Sequence, residues 1–165
     1  MTKVLCPGSF DPITLGHLDL VMRASRFSED IVVAVGMNSA KNYRFTHDQR
    51  LHMVQAVLAH FPKVRVMRMD TTLLECALEV GADVVVKGVR TGADLDWELV
   101  QATVNRDFGD IETLLMPTRP ELAIVSSSLV RELLPQGMDI SRYVPAAIIP
   151  LMTDNEASEK RPTLK

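Results

Sequence analysis

Short apolar runs alternate with longer amphipathic runs along this chain, and the alternation predicts its secondary structure. The short runs predict strands, because their central positions are continuous Val, Leu, Ile and Met, which is typical of strands covered on both faces. The predicted strands span residues 3–6, 31–36, 64–69, 84–87 and 112–116. The pattern therefore predicts a parallel sheet.

The longer runs have the spacing of amphipathic helices. They predict helices at residues 15–27, 46–61, 72–80 and 92–108, and a C-terminal helical pair that opens at residues 127–134. Thr46 and Gln49 match a capping box, and an apolar stripe that includes Val54 and Leu58 lies behind them. These residues predict where the second helix starts.

Strands and helices follow each other in regular succession, which predicts an α/β fold with a Rossmann-like, doubly wound, five-stranded parallel sheet and C-terminal helices. We expect residues 1–152 to form one domain and residues 153–165 to form a frayed polar tail. Ligands of such folds bind beyond the carboxyl ends of the strands. Candidate functional residues follow all five predicted strands, so we expect five connections to converge on one cleft.

Composition narrows the classes of function. Of the 165 residues, 47% are hydrophobic, which is enough to bury a core without disulfides or a metal. The net charge of −3 argues against general binding of nucleic acid, whereas a local basic patch from Lys41, Lys87, Arg90 and Arg119 suits a small phosphorylated ligand. The sequence has no leader pattern and no apolar run near the ~20 residues of a membrane span, so we expect a cytoplasmic protein with no membrane partner.

The cysteines and most histidines favour structural roles. Cys6 and Cys76 lie in apolar segments without metal-ligand spacing, which predicts buried free thiols. His47, His52 and His60 lack the i, i+4 spacing of a helical metal pair, and we interpret them as helix-surface histidines. We therefore expect no metal site built by the protein.

The segment PGSFDPITLGH at residues 7–17 joins the first predicted strand to the first helix by a loop suited to a phosphate. Gly8 and Gly16 lack a Cβ, so the backbone N–H groups can approach a polyanion closely. His17 falls in the first helical turn, where unpaired amides and the helix dipole favour negative charge. An isolated histidine here would be an ordinary helix-start residue, but the agreement among the eleven residues favours a phosphate-binding role.

Further motifs follow the loop motif, which contains Gly8-Ser-Phe-Asp-Pro12 and Thr14-x-Gly-His17. They are Lys87-Gly-Val-Arg90, Asp96-Trp-Glu98, Asn105-Arg106 and Val125-Ser-Ser-Ser128. The loop motif resembles the signature of the nucleotidylyltransferase superfamily. The whole set, in this order and spacing, resembles the bacterial phosphopantetheine adenylyltransferases, and the resemblance runs from about residue 3 to about residue 152.

The resemblance implies a nucleotidylyltransferase domain over residues 1–152 that transfers AMP from ATP to 4′-phosphopantetheine. The products would be dephospho-CoA and pyrophosphate. It further implies Mg²⁺ accompanying the ATP, CoA as an inhibitor and a homohexamer. Such a reaction needs no protein nucleophile, since the phosphomonoester acceptor is anionic near neutral pH, and the enzyme aligns the reactants and neutralises charge.

The resemblance also implies the site residues. His17, Lys41 and Arg90 would act in catalysis: His17 on the α-phosphate, Lys41 between the attacking phosphate and the α-phosphate, and Arg90 on the β- and γ-phosphates. Acceptor binding would use Ser9, Lys41, Leu73, Lys87 and Asn105. ATP binding would use Ser9, Phe10, His17, Gly88, Val89, Arg90, Glu98, Leu122, Ala123, Ile124, Val125, Ser126, Ser127 and Ser128.

Structural interpretations of several of these residues stay open. Lys41 lies in a polar turn, and Lys87 ends an apolar strand from which it could reach water. Glu98 could be a surface helix carboxylate. Ser126 could serve only as a helix cap, and Leu73 could simply pack in the core.

The chain departs from the family pattern at three positions. Leu95 and Trp97 stand where the family commonly has Phe and Tyr, and Leu122 stands where the family has an aromatic residue beside the nucleotide. The detail of adenine packing therefore stays open. We interpret Trp97 as a packed aromatic residue. Asn105 lies seven positions after Glu98, two helical turns on, so both could face the same cleft.

Two other functions stay open as well. A nucleotidylyltransferase of the same fold could use nicotinate mononucleotide or a phosphorylated polyol as its acceptor. A nucleotide-sensing or CoA-sensing module could keep the pocket without turnover. The joint presence of His17, Lys41, Lys87 and Arg90 argues against a sensor, which could lose transition-state groups without losing affinity.

Overall fold

Five parallel strands form one sheet in the order β3-β2-β1-β4-β5, in a computed structural model that describes residues 1–152. The strands are β1 Lys3–Gly8, β2 Asp30–Gly36, β3 Val64–Met69, β4 Val84–Val89 and β5 Glu112–Pro117. This order places the first strand at the centre and confirms the predicted Rossmann-like, doubly wound α/β fold. The predicted tail at residues 153–165 lies outside the described residues.

The helices on the two faces of the sheet are α1 Leu15–Ala24, α2 His47–Leu58, α3 Leu73–Val80, α4 Gly92–Gly109 and α5 Ser127–Leu133. Each begins after a threonine or serine whose side chain accepts a hydrogen bond from a first-turn N–H. The predicted capping box of Thr46 and Gln49 is present at α2. The sequence thus places every helix start to within one residue.

Two strands run two residues farther than the pattern predicts, and two helices end three residues earlier. β1 continues to Gly8 and β4 to Val89, because Gly8 pairs with Val35 and Val89 with Pro117 across the sheet. Pairing between strands overrides the weak strand propensity of Gly and Pro. α1 ends at Ala24 instead of residue 27, since the next three residues form a turn. α2 ends at Leu58 instead of residue 61, since residues 59 and 60 also form a turn.

The predicted C-terminal helical segments begin with α5, and helical structure resumes only after an interruption. α5 is followed by the 3-10 turns Leu134–Gln136 and Ala146–Ile148, and residues 149–152 are helical. Pro135 and Pro145 explain the interruption, since proline lacks an N–H and does not continue a helix.

The central strands carry the core. Every residue of β2 from Ile31 to Gly36 is buried, as the continuous apolar pattern predicts. β3 and β5 lie at the two edges of the sheet, and each leaves two or three of its residues exposed. The prediction that all five strands are covered on both faces is therefore wrong for these two. Cys6 and Cys76 are buried free thiols, as predicted, and burial raises the pKa of Cys6 to about 12.

The two strands at the centre separate before they end. β1 pairs with β2 over six residues, from Lys3 to Gly8, but with β4 only through Val4 and Leu5. The chain winds toward β3 on one side of β1 and toward β5 on the other, which is the arrangement that opens a crevice. No helix within residues 1–152 is long and apolar enough to span a bilayer.

Candidate active site

A cleft of about 600 Å³ lies beyond the carboxyl ends of β1 and β4. It is lined by the connections after β1, β2, β4 and β5 and by the first turns of α1 and α5. Twelve of the predicted site residues line it: Ser9, Phe10, His17, Lys41, Lys87, Gly88, Arg90, Glu98, Val125, Ser126, Ser127 and Ser128. The sheet topology brings these residues together from five separate segments of the chain.

Six predicted site residues do not line the cleft: Leu73, Val89, Asn105, Leu122, Ala123 and Ile124. Leu73 packs against the core cluster that contains Cys76, so four connections meet at the cleft, not the expected five. Asn105 is buried, and its Nδ2 donates to the Thr113 hydroxyl at 3.1 Å. Ile124 is 68% exposed beside the lining residue Val125.

The imidazole of His17 is oriented by the N-cap of its own helix. Its Nδ1 accepts a hydrogen bond from the Thr14 N–H at 3.0 Å and lies 3.0 Å from the Thr14 hydroxyl. Burial, together with the positive charges of Arg90 and Lys87, lowers the pKa of His17 from 6.5 to about 4. The ring is therefore neutral near pH 7, and its proton lies on Nε2. Within the cleft, His17 is an uncharged hydrogen-bond donor.

Three carbonyl groups of the loop between β1 and α1 are held by side chains from later helices. Arg50 of α2 donates to the Ser9 carbonyl at 2.5 Å. Arg131 of α5 donates to the Asp11 carbonyl, and Ser127 donates to the Pro12 carbonyl, each at 2.8 Å. Because these carbonyl oxygens are bound to protein donors, the loop is braced from both sides of the cleft.

The loop also contains a strained residue. Phe10 has a φ of +49°, which is in the left-handed region that L-residues seldom adopt. Its buried ring packs edge-on against the His17 ring at 5.0 Å between centroids, and a Cβ at Gly8 would meet that ring at 2.9 Å. Gly8 is thus required by a close approach, and Phe10 links the loop backbone to the imidazole.

Asp11 fastens the same loop to the segment before α2. Its two carboxylate oxygens accept the backbone N–H groups of Arg44 and Phe45, each at 2.9 Å. Arg131 lies 3.7 Å away as a counter-charge. The carboxylate is buried, so these bonds satisfy a group that would otherwise be costly to desolvate.

Two basic residues that line the cleft, Lys87 and Arg90, have acidic partners, and Arg119 pairs with a carboxylate that lines it. Lys87 Nζ lies 3.1 Å from Glu98, Arg90 lies 3.2 Å from Asp94, and Arg119 lies 2.9 Å from Asp19. The second oxygen of Glu98 is buried without a hydrogen-bond partner within the described residues. An anion that enters the cleft can replace these carboxylates as the partner of the lysine or arginine side chains.

The three serines at the start of α5 differ in their bonding. Ser126 is the N-cap, as predicted, and accepts from the Leu129 N–H at 3.1 Å. The Ser127 hydroxyl donates to Pro12, and that of Ser128 accepts from Arg131 at 3.2 Å. Because the hydroxyls are engaged, the unpaired N–H groups of the first turn are what this helix offers to an anion.

Comparison with known proteins identifies the family. Residues 5–133 match the cytidylyltransferase-like family. The phosphopantetheine adenylyltransferase of Micrococcus luteus is 42% identical over 150 residues, which are 90% of this chain and 96% of that protein. Those of Cutibacterium acnes and Bacteroides thetaiotaomicron are 41% and 40% identical, over 88% of this chain and 93% and 96% of the relatives. The chain belongs to the phosphopantetheine adenylyltransferase family.

This member of the phosphopantetheine adenylyltransferase family has residues in and beside the cleft that the sequence motifs did not single out. Tyr43 lines the cleft, accepts from the Asn38 N–H at 2.7 Å and lies under Arg50 at 4.1 Å. Arg50 itself is wholly buried. Its position gave a signal, since it stands one helical turn before Val54 on the apolar side of α2, where a charged residue needs a partner.

One histidine of this family member differs from its interpretation as a surface residue. His47 is buried, and its Nε2 lies 2.6 Å from the Val35 carbonyl, while His52 and His60 are exposed as expected. Within residues 1–152, no three His, Cys, Asp or Glu side chains lie close enough to hold a metal ion. Trp97, interpreted as packed, is instead 65% exposed on α4.

Proposed function

We propose that this protein transfers the adenylyl group of ATP to 4′-phosphopantetheine and releases dephospho-CoA and pyrophosphate. The observation that carries the proposal is His17, a neutral donor that lines the cleft beside the positive charges of Lys87 and Arg90. The names of the relatives support this choice of acceptor over nicotinate mononucleotide or a polyol phosphate.

The reaction forms one P–O bond and breaks another. An oxygen of the 4′-phosphate attacks the α-phosphorus of ATP, and the bond between the α-phosphorus and the bridging oxygen to the β-phosphate breaks in line. Pyrophosphate leaves with the bonding electrons. A phosphomonoester is largely dianionic near pH 7, so no general base has to deprotonate the nucleophile.

His17 donates its Nε2–H to a non-bridging oxygen of the α-phosphate, where charge accumulates in the transition state. Lys41 lies in the connection after β2 at the edge of the cleft, and its long ammonium side chain follows the charge from the attacking phosphate to the α-phosphate. The neutral state of His17 matters, because a donor that keeps its proton stabilises charge without a transfer step.

The remaining polar groups bind the two ends of the reacting system. Lys87 leaves Glu98 and binds the acceptor phosphate. Arg90 leaves Asp94 and binds the β- and γ-phosphates. Ser9 and the backbone amides of Phe10 and of the first turn of α5 add donors to the triphosphate.

The six predicted residues outside the cleft keep proposed roles at its margins. In this proposal Leu73 and Asn105 bind the pantetheine arm. The residues that bind the nucleoside are Val89, Leu122, Ala123 and Ile124. Glu98 belongs to the proposed nucleotide site, and it pairs with Lys87 in the cleft. Ligand-bound structures would test each of these assignments.

Mg²⁺ belongs in this proposal as part of the substrate, MgATP. Four carboxylates line the cleft, those of Asp11, Asp19, Asp94 and Glu98. Each is within ion-pair distance of an arginine or lysine, which is unsuitable for a metal cage. The triphosphate oxygens themselves are hard ligands that Mg²⁺ prefers, and the ion screens their charge. The chain's own contribution is the set of donors around the phosphates.

We also propose that the protein is a cytoplasmic homohexamer inhibited by CoA. The support for assembly is the apolar face of α4, formed by Trp97, Val100, Val104 and Phe108, of which Trp97 and Phe108 are 65% and 75% exposed. Exposed apolar side chains at i, i+3, i+7 and i+11 form a stripe that an interface would cover. CoA would compete in the cleft because it contains the adenylated pantetheine product.

The experiment that tests the function is pyrophosphate release by the purified protein with MgATP and 4′-phosphopantetheine. Nicotinate mononucleotide and unphosphorylated pantetheine serve as comparison acceptors. Release that requires the phosphorylated pantetheine is expected. ATP or CoA binding without release would instead indicate a sensor, and release with another acceptor would change the substrate. His17→Ala should lower kcat far more than it weakens ATP binding.

A further inference from the structure

Arg50 is the largest wholly buried side chain of the described residues, and it lies directly beneath the phosphate loop. Its contacts are carbonyl oxygens and the face of Tyr43, whose ring centroid is 4.1 Å from the guanidinium carbon. Burying a guanidinium is costly unless its donors are satisfied. The groups that Arg50 binds should therefore explain why a charged residue is buried at this position.

The three carbonyls that Arg50 binds belong to three different segments. They are those of Ser9 at 2.5 Å, Gly36 at 2.7 Å and Phe45 at 3.3 Å. Ser9 follows β1, Gly36 ends β2, and Phe45 precedes α2. The planar guanidinium presents fixed donors in several directions, which the point charge of a lysine cannot reproduce.

The bond to Ser9 sets the direction of the next amide. The peptide between Ser9 and Phe10 is trans, so its C=O and N–H point in opposite directions. With the carbonyl drawn down to Arg50, the Phe10 N–H points away from Arg50, on the side of the cleft that Ser9 and Phe10 line. Within residues 1–152 no acceptor is hydrogen-bonded to this N–H.

Phe10 adopts its left-handed conformation as part of the same arrangement. A φ of +49° costs free energy for a phenylalanine and persists only where surrounding contacts impose it. The contacts here are Arg50 on the preceding carbonyl and the packing of the ring against His17. Both hold the peptide plane in one orientation.

We propose that Arg50 is a positioning residue, which fixes the Ser9–Phe10 peptide so that the Phe10 N–H donates to a phosphate oxygen of the nucleotide. Arg50 does not touch the substrate. It acts through one backbone amide, and it also links the connections after β1 and β2, which carry Ser9 and Lys41. The inference rests on the proposed function for the nature of the bound phosphate.

The first test compares Arg50→Lys with Met53→Ala. Met53 is equally buried on the same helix but has no part in the loop, so its variant reports loss of core packing alone. Arg50→Lys should lower kcat, measured per folded molecule, by about ten-fold or more, since removal of one preorganised donor commonly costs ~100-fold. It should also raise KM for ATP and leave KM for 4′-phosphopantetheine nearly unchanged.

Met53→Ala should keep the wild-type kcat and both KM values well below its own unfolding temperature. Wild-type kcat per folded molecule in Arg50→Lys would overturn the proposal. So would an equal loss in the two variants, because the effect would then come from packing and not from the amide.

A second test uses the wild-type chain and does not depend on any variant folding. Inorganic pyrophosphate is titrated into ¹⁵N-labelled protein, and the Phe10 amide proton should move downfield as it becomes a hydrogen-bond donor to the anion. A Phe10 signal that stays fixed while other cleft amides move would contradict the inference. Absence of adenylyl transfer with a normal Phe10 response would instead count against the proposed function only.

Discussion

The Thr14 N–H donates to Nδ1 of His17 across 3.0 Å, so an N-cap residue determines which nitrogen of the imidazole carries the proton. In an ordinary capping box a Glu or Gln occupies the position of His17. Here the same local geometry that starts α1 also orients a cleft-facing donor. Helix initiation and site assembly depend on one pair of residues.

The protonation of His17 gives a prediction for pH dependence. Its pKa is lowered to about 4 in the folded chain, so the unfolded chain binds this proton more readily. The contribution of His17 to the free energy of unfolding should therefore be complete above about pH 6.5 and should decline as the pH falls toward about 4.

The NMR titration of the free protein should show His17 titrating near pH 4, with ¹⁵N shifts of the Nε2–H tautomer above that pH. His17→Gln identifies the resonance. A midpoint near the 6.5 of an ordinary histidine would mean that burial and the charges of Arg90 and Lys87 do not act as the structure indicates.

Gly8→Ala should damage the site through the ring of Phe10. The new Cβ would meet that ring at 2.9 Å, and the ring is buried against His17, so the loop has to move. We expect a loss of about 1–3 kcal/mol in the free energy of unfolding and a higher KM for ATP. Urea denaturation and steady-state kinetics measure the two effects.

Gly92→Ala is the matched control, because a Cβ at Gly92 meets no atom within 4 Å. This residue opens α4, where alanine is the better helix former. It should keep or slightly raise stability. Equal losses in the two variants would show that the close approach at Gly8 is not the cause.

The pair of Lys87 and Glu98 predicts a separation of stability from substrate binding. Lys87→Met leaves the Glu98 carboxylate mostly buried without its cation, which should lower the free energy of unfolding by about 1–3 kcal/mol. It should also raise KM for 4′-phosphopantetheine. Thermal unfolding and acceptor kinetics follow the two properties independently.

The double variant Lys87→Met with Glu98→Gln should recover part of the stability, because the unpaired charge is gone, but not the acceptor KM. Recovery of both would indicate that Lys87 acts on the fold and does not bind the acceptor phosphate.

The apolar face of α4 predicts the effect of a charge on assembly. Val100 is exposed at the middle of this face, so Val100→Glu should convert a hexamer, six times the 18.3 kDa of one chain, into smaller species. Light scattering coupled to size-exclusion chromatography measures the mass.

Arg106→Gln changes the net charge by the same amount on another side of α4, where Arg106 pairs with Glu112, and should leave the mass unchanged. A wild-type chain that elutes as a monomer would refute the proposed hexamer.

The fold was predictable because its signals are local. The capping box at Thr46, the apolar strands and the glycine loop each act within a few residues, and each was predicted from the sequence. The edges of the sheet were not predictable in this way, since the pattern of β3 does not reveal which strands will lack a neighbour. The exposed position of Trp97 was not predicted for a similar reason. The sequence pattern of an apolar residue is the same whether the residue packs in the core or against another surface.

The cleft was predictable as a set of segments but not as a set of contacts. Motifs placed His17, Lys87 and Arg90 at strand ends, and topology brought them together. The pairing of Lys87 with Glu98 and the bond from Arg50 to Ser9 join residues 11 and 41 positions apart, and no local rule specifies their partners. Leu73 shows that a position after a strand is not sufficient, because this residue packs against the core and does not line the cleft.

The order in which the ribosome delivers the chain has a consequence for this site. The Asp11 and Pro12 carbonyls are fixed by donors 120 and 115 residues later, on α5. A nascent chain can therefore complete all five strands while the loop that holds the phosphates still lacks its second brace. We therefore expect the loop to reach its final rigidity only after α5 has been made and has packed against it.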